Sequence, residues 1–146
     1  MPATEYASAR ILIVEDEALI AEEIRDRLGR LGFETVGVVD SGVRAIDVAG
    51  EARPDLVLMD IQIKGPADGV DTARHFREHL HIPVVYLTAH SDEATLRRAR
   101  DTEPFGYVLT PFQQHELLAA IDMALRMHPP GLDPELVTQQ QHPPLH

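Results

Sequence analysis

The chain has 146 residues, a formal net charge of -11 at pH 7 and no cysteine, so one domain with tails is expected and a disulfide scaffold or thiolate metal site is excluded. The acidity, without any cluster of Lys and Arg, argues against direct nucleic-acid contact. No stretch is long and apolar enough to span a bilayer and residues 1–9 lack the apolar segment of a signal peptide, so a cytoplasmic chain that makes no membrane contact is expected.

Arg10-Ile11-Leu12-Ile13-Val14 is an apolar run stopped by Glu15-Asp16-Glu17, and it reads as a first strand with acids at its carboxyl end. Ile20, Ile24, Leu28 and Leu31 recur at helical spacing among charged residues, predicting an amphipathic helix that Gly32 closes. Thr35-Val36-Gly37-Val38-Val39 follows as a strand weakened by its glycine. Asp40 or Ser41 is placed to cap the next helix, whose Val43, Ile46 and Ala49 are expected to face the sheet. Pro54 ends that connection, and Leu56-Val57-Leu58-Met59 reads as a strand buried on both faces and ending in Asp60.

Gly65, Pro66 and Gly69 mark a loop after Asp60. Val70, Ala73 and Phe76 then predict a third helix, and Val84-Val85-Tyr86-Leu87 a fourth strand ending in Thr88-Ala89-His90. A helix through Ala94, Leu96 and Ala99 follows, with Ser91 or Asp92 as its cap. Phe105 to Leu109 is a fifth strand ending at Thr110-Pro111, and Leu117, Leu118, Ile121 and Leu125 form the last helical stripe. From His128 the composition turns to Pro, Gly, Gln and His, so residues 1–9 and 128–146 are expected to be tails, the latter disordered, around a domain spanning 10–127.

Five alternations of strand and helix imply a parallel sheet covered on both faces. The commonest solution is the flavodoxin-like doubly wound α/β order 2-1-3-4-5, with its switch point between the first and third strands. That order places Glu15, Asp16 and Asp60 around one crevice at the carboxyl edge. Carboxylates so close repel, unless one stays protonated or a cation is bound. Oxygen donors without His or Cys favour magnesium. A carboxylate beside such a cation can attack a phosphoryl group in line and form an acyl phosphate, and Thr88 could then hydrogen-bond a phosphoryl oxygen.

Taken together, Glu15-Asp16 after the first strand, Asp60 after the third, Thr88-Ala89 after the fourth and Tyr107 before Pro111-Phe112 make the chain resemble the stand-alone response-regulator receiver domain of two-component signalling. The resemblance runs from about Arg10 to Met127. It implies that Asp60 accepts phosphate from a sensor histidine kinase or histidine phosphotransfer protein. Asp16, the Asp60 carboxylate and the Gln62 carbonyl would hold magnesium, with Glu15 acting mainly through water. It further implies that phosphorylation draws in the Thr88 hydroxyl and turns the Tyr107 ring inward, which alters the surface of the fourth helix, fifth strand and fifth helix. Output would pass through a protein target, a phosphorelay, or a homodimer made through that surface, because the tail is too short for an output domain. The module is not expected to be an enzyme.

Two departures stand out. The family's lysine before the proline after the fifth strand is Thr110 here, which offers a hydrogen bond but no charge. Gly69 lies nine positions after Asp60, one more than the common pattern, which brings Lys64 to the rim of the crevice as a compensating charge. Plainer readings compete at each position. Asp60 alone could cap a turn, Tyr107 could be a packing aromatic, Lys64 could serve solubility, and His90 could be a solvated loop residue or affect dephosphorylation. His79 and His81 lack the company of metal ligands. A flavodoxin would need a polar, uncharged first loop, a P-loop NTPase its glycine-lysine motif, and an aspartate phosphatase a second Asp where Gln62 stands. The rival of another class is a phosphorylation-independent binding module on the same fold, favoured by the missing lysine.

Overall fold

The apolar runs become the strands of one sheet, while Gly65 and Pro66 lie outside the described residues. The computed structural model describes residues 6–63, 69–88, 93–102 and 104–130. Strands β1 (Arg10–Val14), β2 (Glu34–Val39), β3 (Leu56–Asp60), β4 (Val84–Thr88) and β5 (Gly106–Leu109) pair in parallel in the order β2-β1-β3-β4-β5. Helices α1 (Ala18–Leu31), α2 (Gly42–Ala52), α3 (Gly69–His75), α4 (Glu93–Asp101) and α5 (Gln114–Met127) make the crossovers and the closing segment. The expected doubly wound architecture is therefore present.

Strand side chains alternate between the two faces, and two cores result. Ile11, Ile13, Leu56, Leu58, Val85, Leu87 and Val108 pack with Ile24 and Leu28 of α1 and with Leu117, Ile121 and Leu125 of α5. Leu12, Val14, Val57, Met59, Val84 and Tyr86 pack on the other face with Ala45 and Ala49 of α2, with Val70 and Ala73 of α3, and with Ala99 of α4. Each fully buried Leu or Ile contributes about 1.5 to 3 kcal/mol, which holds the three central strands rigidly beneath the carboxyl edge.

Local signals act as expected at the caps. Gly32 closes α1 at φ 96°, and the Phe33 N–H reaches back to the Leu28 carbonyl at 2.9 Å, the Schellman arrangement. At the start of α2 the Ser41 hydroxyl accepts from the Arg44 N–H at 3.3 Å. Gly37 sits at a bulge: the β1–β2 register shifts so that Ile11 faces Thr35 while Leu12 faces Gly37. A Cβ at Gly37 would stand 3.3 Å from Leu12 Cδ1. The proposed caps Ser91 and Asp92 lie outside the described residues.

Three expectations change. Val43 does not face the sheet but is half exposed, and α2 buries Gly42, Ala45 and Ala49, because small side chains let the helix sit close to β1 and β2. Ile20, expected in the core stripe of α1, is 36% exposed, since the first turn of α1 overhangs the end of the sheet. The third helix is not uniformly α-helical: α3 passes at Phe76 into a π-helical turn, Phe76–Leu80, which ends at His81 with φ 55°. Phe76 stays fully buried through the change. Beyond α5, the His128 ring lies 6.1 Å from Phe105, and residues 131–146 lie outside the described residues.

Candidate functional site

Each strand that feeds the crevice is pinned by one ladder hydrogen bond beyond its last residue. Glu15 N–H donates to the Val39 carbonyl at 2.9 Å, Ile61 N–H to the Leu87 carbonyl at 3.1 Å and Thr110 N–H to the Thr88 carbonyl at 2.8 Å. Side chains at these positions are thus fixed by the sheet rather than by flexible loops. Glu15 is buried, Asp60 half-buried and Asp16 exposed. One carboxylate oxygen from each lies within 4.8 Å of the others, as the topology required. No second cluster of metal-ligating side chains of this kind occurs among the described residues.

Gln62 N–H donates to Asp60 Oδ1 at 3.0 Å, folding the chain into a turn that orients the carboxylate. Asp60, Gln62, Thr88 and Thr110 line one pocket of about 150 Å³ together with Glu15 and Ile20. Thr88 is buried and also borders a second cavity of about 400 Å³ between α4 and β5, lined by Tyr107, Leu109, Leu96, Arg97 and Arg100. It therefore forms a wall common to both. Tyr107 stands in that second cavity with its ring half exposed, and partial burial pushes its phenol up while Arg100 opposes the shift. Lys64 and His90 lie outside the described residues. Ile20 and Gly69 are site residues that sequence reasoning missed. A helical stripe gives no hint that its first member overhangs a crevice.

The acids interact strongly. Burial, a hydrogen bond to Asp60 and the Asp60 and Asp16 charges push Glu15 from 4.5 up to about 8. At neutral pH the cluster therefore keeps a proton unless a cation takes its place. The donor set, oxygen only and partly buried, fits a small hard divalent cation such as magnesium. Because the folded state favours protonated Glu15, the stability tied to that form is complete below pH 4.5 and lost as pH rises through about 8. The resistance of the metal-free protein to urea is expected to fall as pH rises across this interval. Glu15→Gln should flatten the profile and add about 1 to 3 kcal/mol at its upper end; an unchanged slope in the variant would contradict the assignment.

Gly69 starts α3 against the floor of the site. A Cβ there would lie 2.5 Å from the Asp60 carbonyl oxygen and 3.0 Å from that of Ile61, and both obstacles are backbone. Gly69→Ala is expected to cost about 1 to 3 kcal/mol by overpacking and to displace the Asp60 turn. Denaturant unfolding and the Gln62 amide resonance would measure both.

Residues 11–122 match the family model for the response regulator receiver domain. The chain is 37% identical over 127 residues to the transcriptional regulatory protein PdtaR of Mycobacterium tuberculosis, covering 85% of this chain and 62% of that protein. It is 36% identical over 117 residues to the DNA-binding response regulator MtrA of Mycobacterium leprae, covering 80% of this chain and 51% of that one. It therefore spans between half and two thirds of these relatives. Among solved structures, the signal receiver domain of a modulated diguanylate cyclase from Desulfovibrio desulfuricans G20 superposes with a TM-score of 0.78 at 37% identity, covering 81% of this chain and 94% of that one. The BeF3-activated N-terminal receiver domain of Klebsiella pneumoniae RstA gives 0.72 at 31% identity, covering 80% and 98%.

Proposed function

The chain belongs to the response regulator receiver domain family, a signalling module of two-component systems and not an enzyme, and on that premise we propose that Asp60 is its phosphoacceptor. The observation that carries the reading is the convergence of three carboxylates, one of them at the end of β3, with the Thr88 side chain in reach of one pocket. An Asp60 oxygen attacks the phosphorus of a phosphohistidine on a sensor kinase or phosphotransfer protein. The P–N bond breaks, its electron pair leaves on the imidazole nitrogen with a proton, and an acyl phosphate remains. Asp16, Asp60 and the Gln62 carbonyl, with Glu15 through water, would hold magnesium, which when bound offsets the charge of carboxylate and phosphoryl oxygens. The Thr88 hydroxyl donates to a phosphoryl oxygen, Thr110 adds one neutral hydrogen bond, and Lys64, the chain's one lysine, would supply the positive charge that Thr110 lacks. The receiver unit so defined runs over residues 10–127.

Output passes from Thr88 to Tyr107 and then to the surface of α4, β5 and α5, where a protein target or a second copy would dock. Tyr107, Leu109, Met123 and Met127 are exposed on those elements, as an interface would need. Among the described residues no helix is long and apolar enough to cross a membrane, in keeping with a cytoplasmic site of action.

Intact mass after incubation with acetyl phosphate and magnesium tests the reading. A gain of one phosphoryl group, removed by hydroxylamine as an acyl phosphate should be, is expected. No gain at high donor and metal would favour the second reading, a binding module independent of phosphorylation, for which Thr110 in place of lysine is the specific observation.

A further inference from the structure

Tyr86 and Tyr107 are register partners on β4 and β5, with ring centroids 5.8 Å apart and planes inclined at 27°. By alternation, Tyr86 and Thr88 on β4 share a sheet face with Tyr107 and Leu109 on β5. Tyr107 is a surface ring lying on a buried one, since Tyr86 is fully buried. A buried phenol needs a hydrogen-bond partner, and the Tyr86 hydroxyl lies 2.8 Å from Thr102 Oγ1. Thr102 has a single hydroxyl proton and donates it to the Ala99 carbonyl at 2.6 Å, so within this pair Tyr86 is the donor. The Thr102 N–H also donates to the Ala99 carbonyl, at 3.0 Å, closing the turn just past α4.

The Tyr86 ring therefore touches the Tyr107 ring with its face and the end of α4 with its hydroxyl. Thr88 and Tyr107 border the same cavity, so a Tyr107 ring that moves towards Thr88 must slide off Tyr86. The stacking preference of the pair changes as it does so, while the hydroxyl stays bound at Thr102. We infer that Tyr86 is a positioning residue that couples the place of the Tyr107 ring to the C-terminal turn of α4. This rests on the switch reading above and deepens it, because it gives the phosphoryl signal a buried route to the α4–β5 connection beside the surface route through Tyr107 itself.

The test uses beryllium trifluoride with magnesium as phosphoryl mimic and reads two backbone amides, Gln62 beside Asp60 and residue 102 at the end of α4. Tyr86→Phe keeps the ring and removes the donor, and Thr102→Val removes the acceptor at similar shape. In the parent protein both amides are expected to shift. In both variants the Gln62 shift should persist, while the response of residue 102 falls below about half, as expected when one member of a coupled pair is cut. A purely structural role would move the resting position of residue 102 but leave its response to the mimic whole. An undiminished response at residue 102 in both variants, with Gln62 responding, overturns the inference. Silence at Gln62 in the parent overturns the phosphoryl switch itself, and the inference with it.

Discussion

Asp60→Asn is expected to take up no phosphoryl group from acetyl phosphate and, without metal, to be more stable than the parent near pH 8. The loss follows from the nucleophile: an amide oxygen cannot form the acyl phosphate. The turn should survive, because an asparagine Oδ1 can still accept the Gln62 N–H that Asp60 Oδ1 accepts at 3.0 Å. The stability gain has a separate cause. Asp60 is the partner that, after burial, pushes Glu15 up to about 8 through its hydrogen bond and its charge. Removing that charge lets Glu15 ionise at less cost, a gain of about 1 to 2 kcal/mol. Intact mass reads the first effect and urea unfolding the second. Continued phosphorylation of the variant would move the acceptor elsewhere, and unaltered stability would deny the repulsion.

Thr110→Lys is expected to raise the phosphorylation rate by about a hundredfold, the lower end of the loss when one donor to a developing oxyanion is removed. Thr110 already lines the pocket and its N–H is anchored on the Thr88 carbonyl at 2.8 Å, so the new ammonium would project from a fixed point. It would also favour ionised Glu15 and lower the metal-free repulsion. Rates should be compared with those of Lys64→Ala in both backgrounds. If Lys64 compensates for the missing charge, its removal slows the parent but hardly affects Thr110→Lys. No slowing in either background would leave Lys64 as a solubility residue, equal slowing in both would mean that it acts independently of position 110, and no gain in Thr110→Lys would show that the site does not need the charge.

The strands were legible because each is an unbroken apolar run with a polar stop, and a residue just past a parallel strand can only appear at the sheet edge. Applied to the ends of β1, β3 and β4, that rule locates Glu15, Asp60 and Thr88 from the sequence itself. The rest depended on information that periodicity does not carry. Val43 and Ile20 are apolar and correctly spaced, yet helix ends project beyond the sheet and the stripe does not reveal where the sheet stops. The π-helical turn after His75 changes which carbonyl each N–H meets, whereas only three apolar positions marked that helix. Tyr86 was hidden within an apolar run, where a phenol reads as core and its bond to Thr102 has no sequence signature. In the sequence Gly69 has only the signature of a loop breaker, but what requires glycine there is the Asp60 carbonyl against it.

The bulge at Gly37 bears on how this protein coexists with copies of itself. Among the described residues β2 pairs only with β1, which leaves its outer row of amides and carbonyls as a template for an extended chain. A flat, regular strand of this Val-rich composition would be a template for fibril growth. The register shift between Thr35 and Gly37 bends that row out of line, and Glu34 places a charge at its start. What looks like a flaw in the ladder thus makes the open side of the folded sheet a poorer template for a second copy.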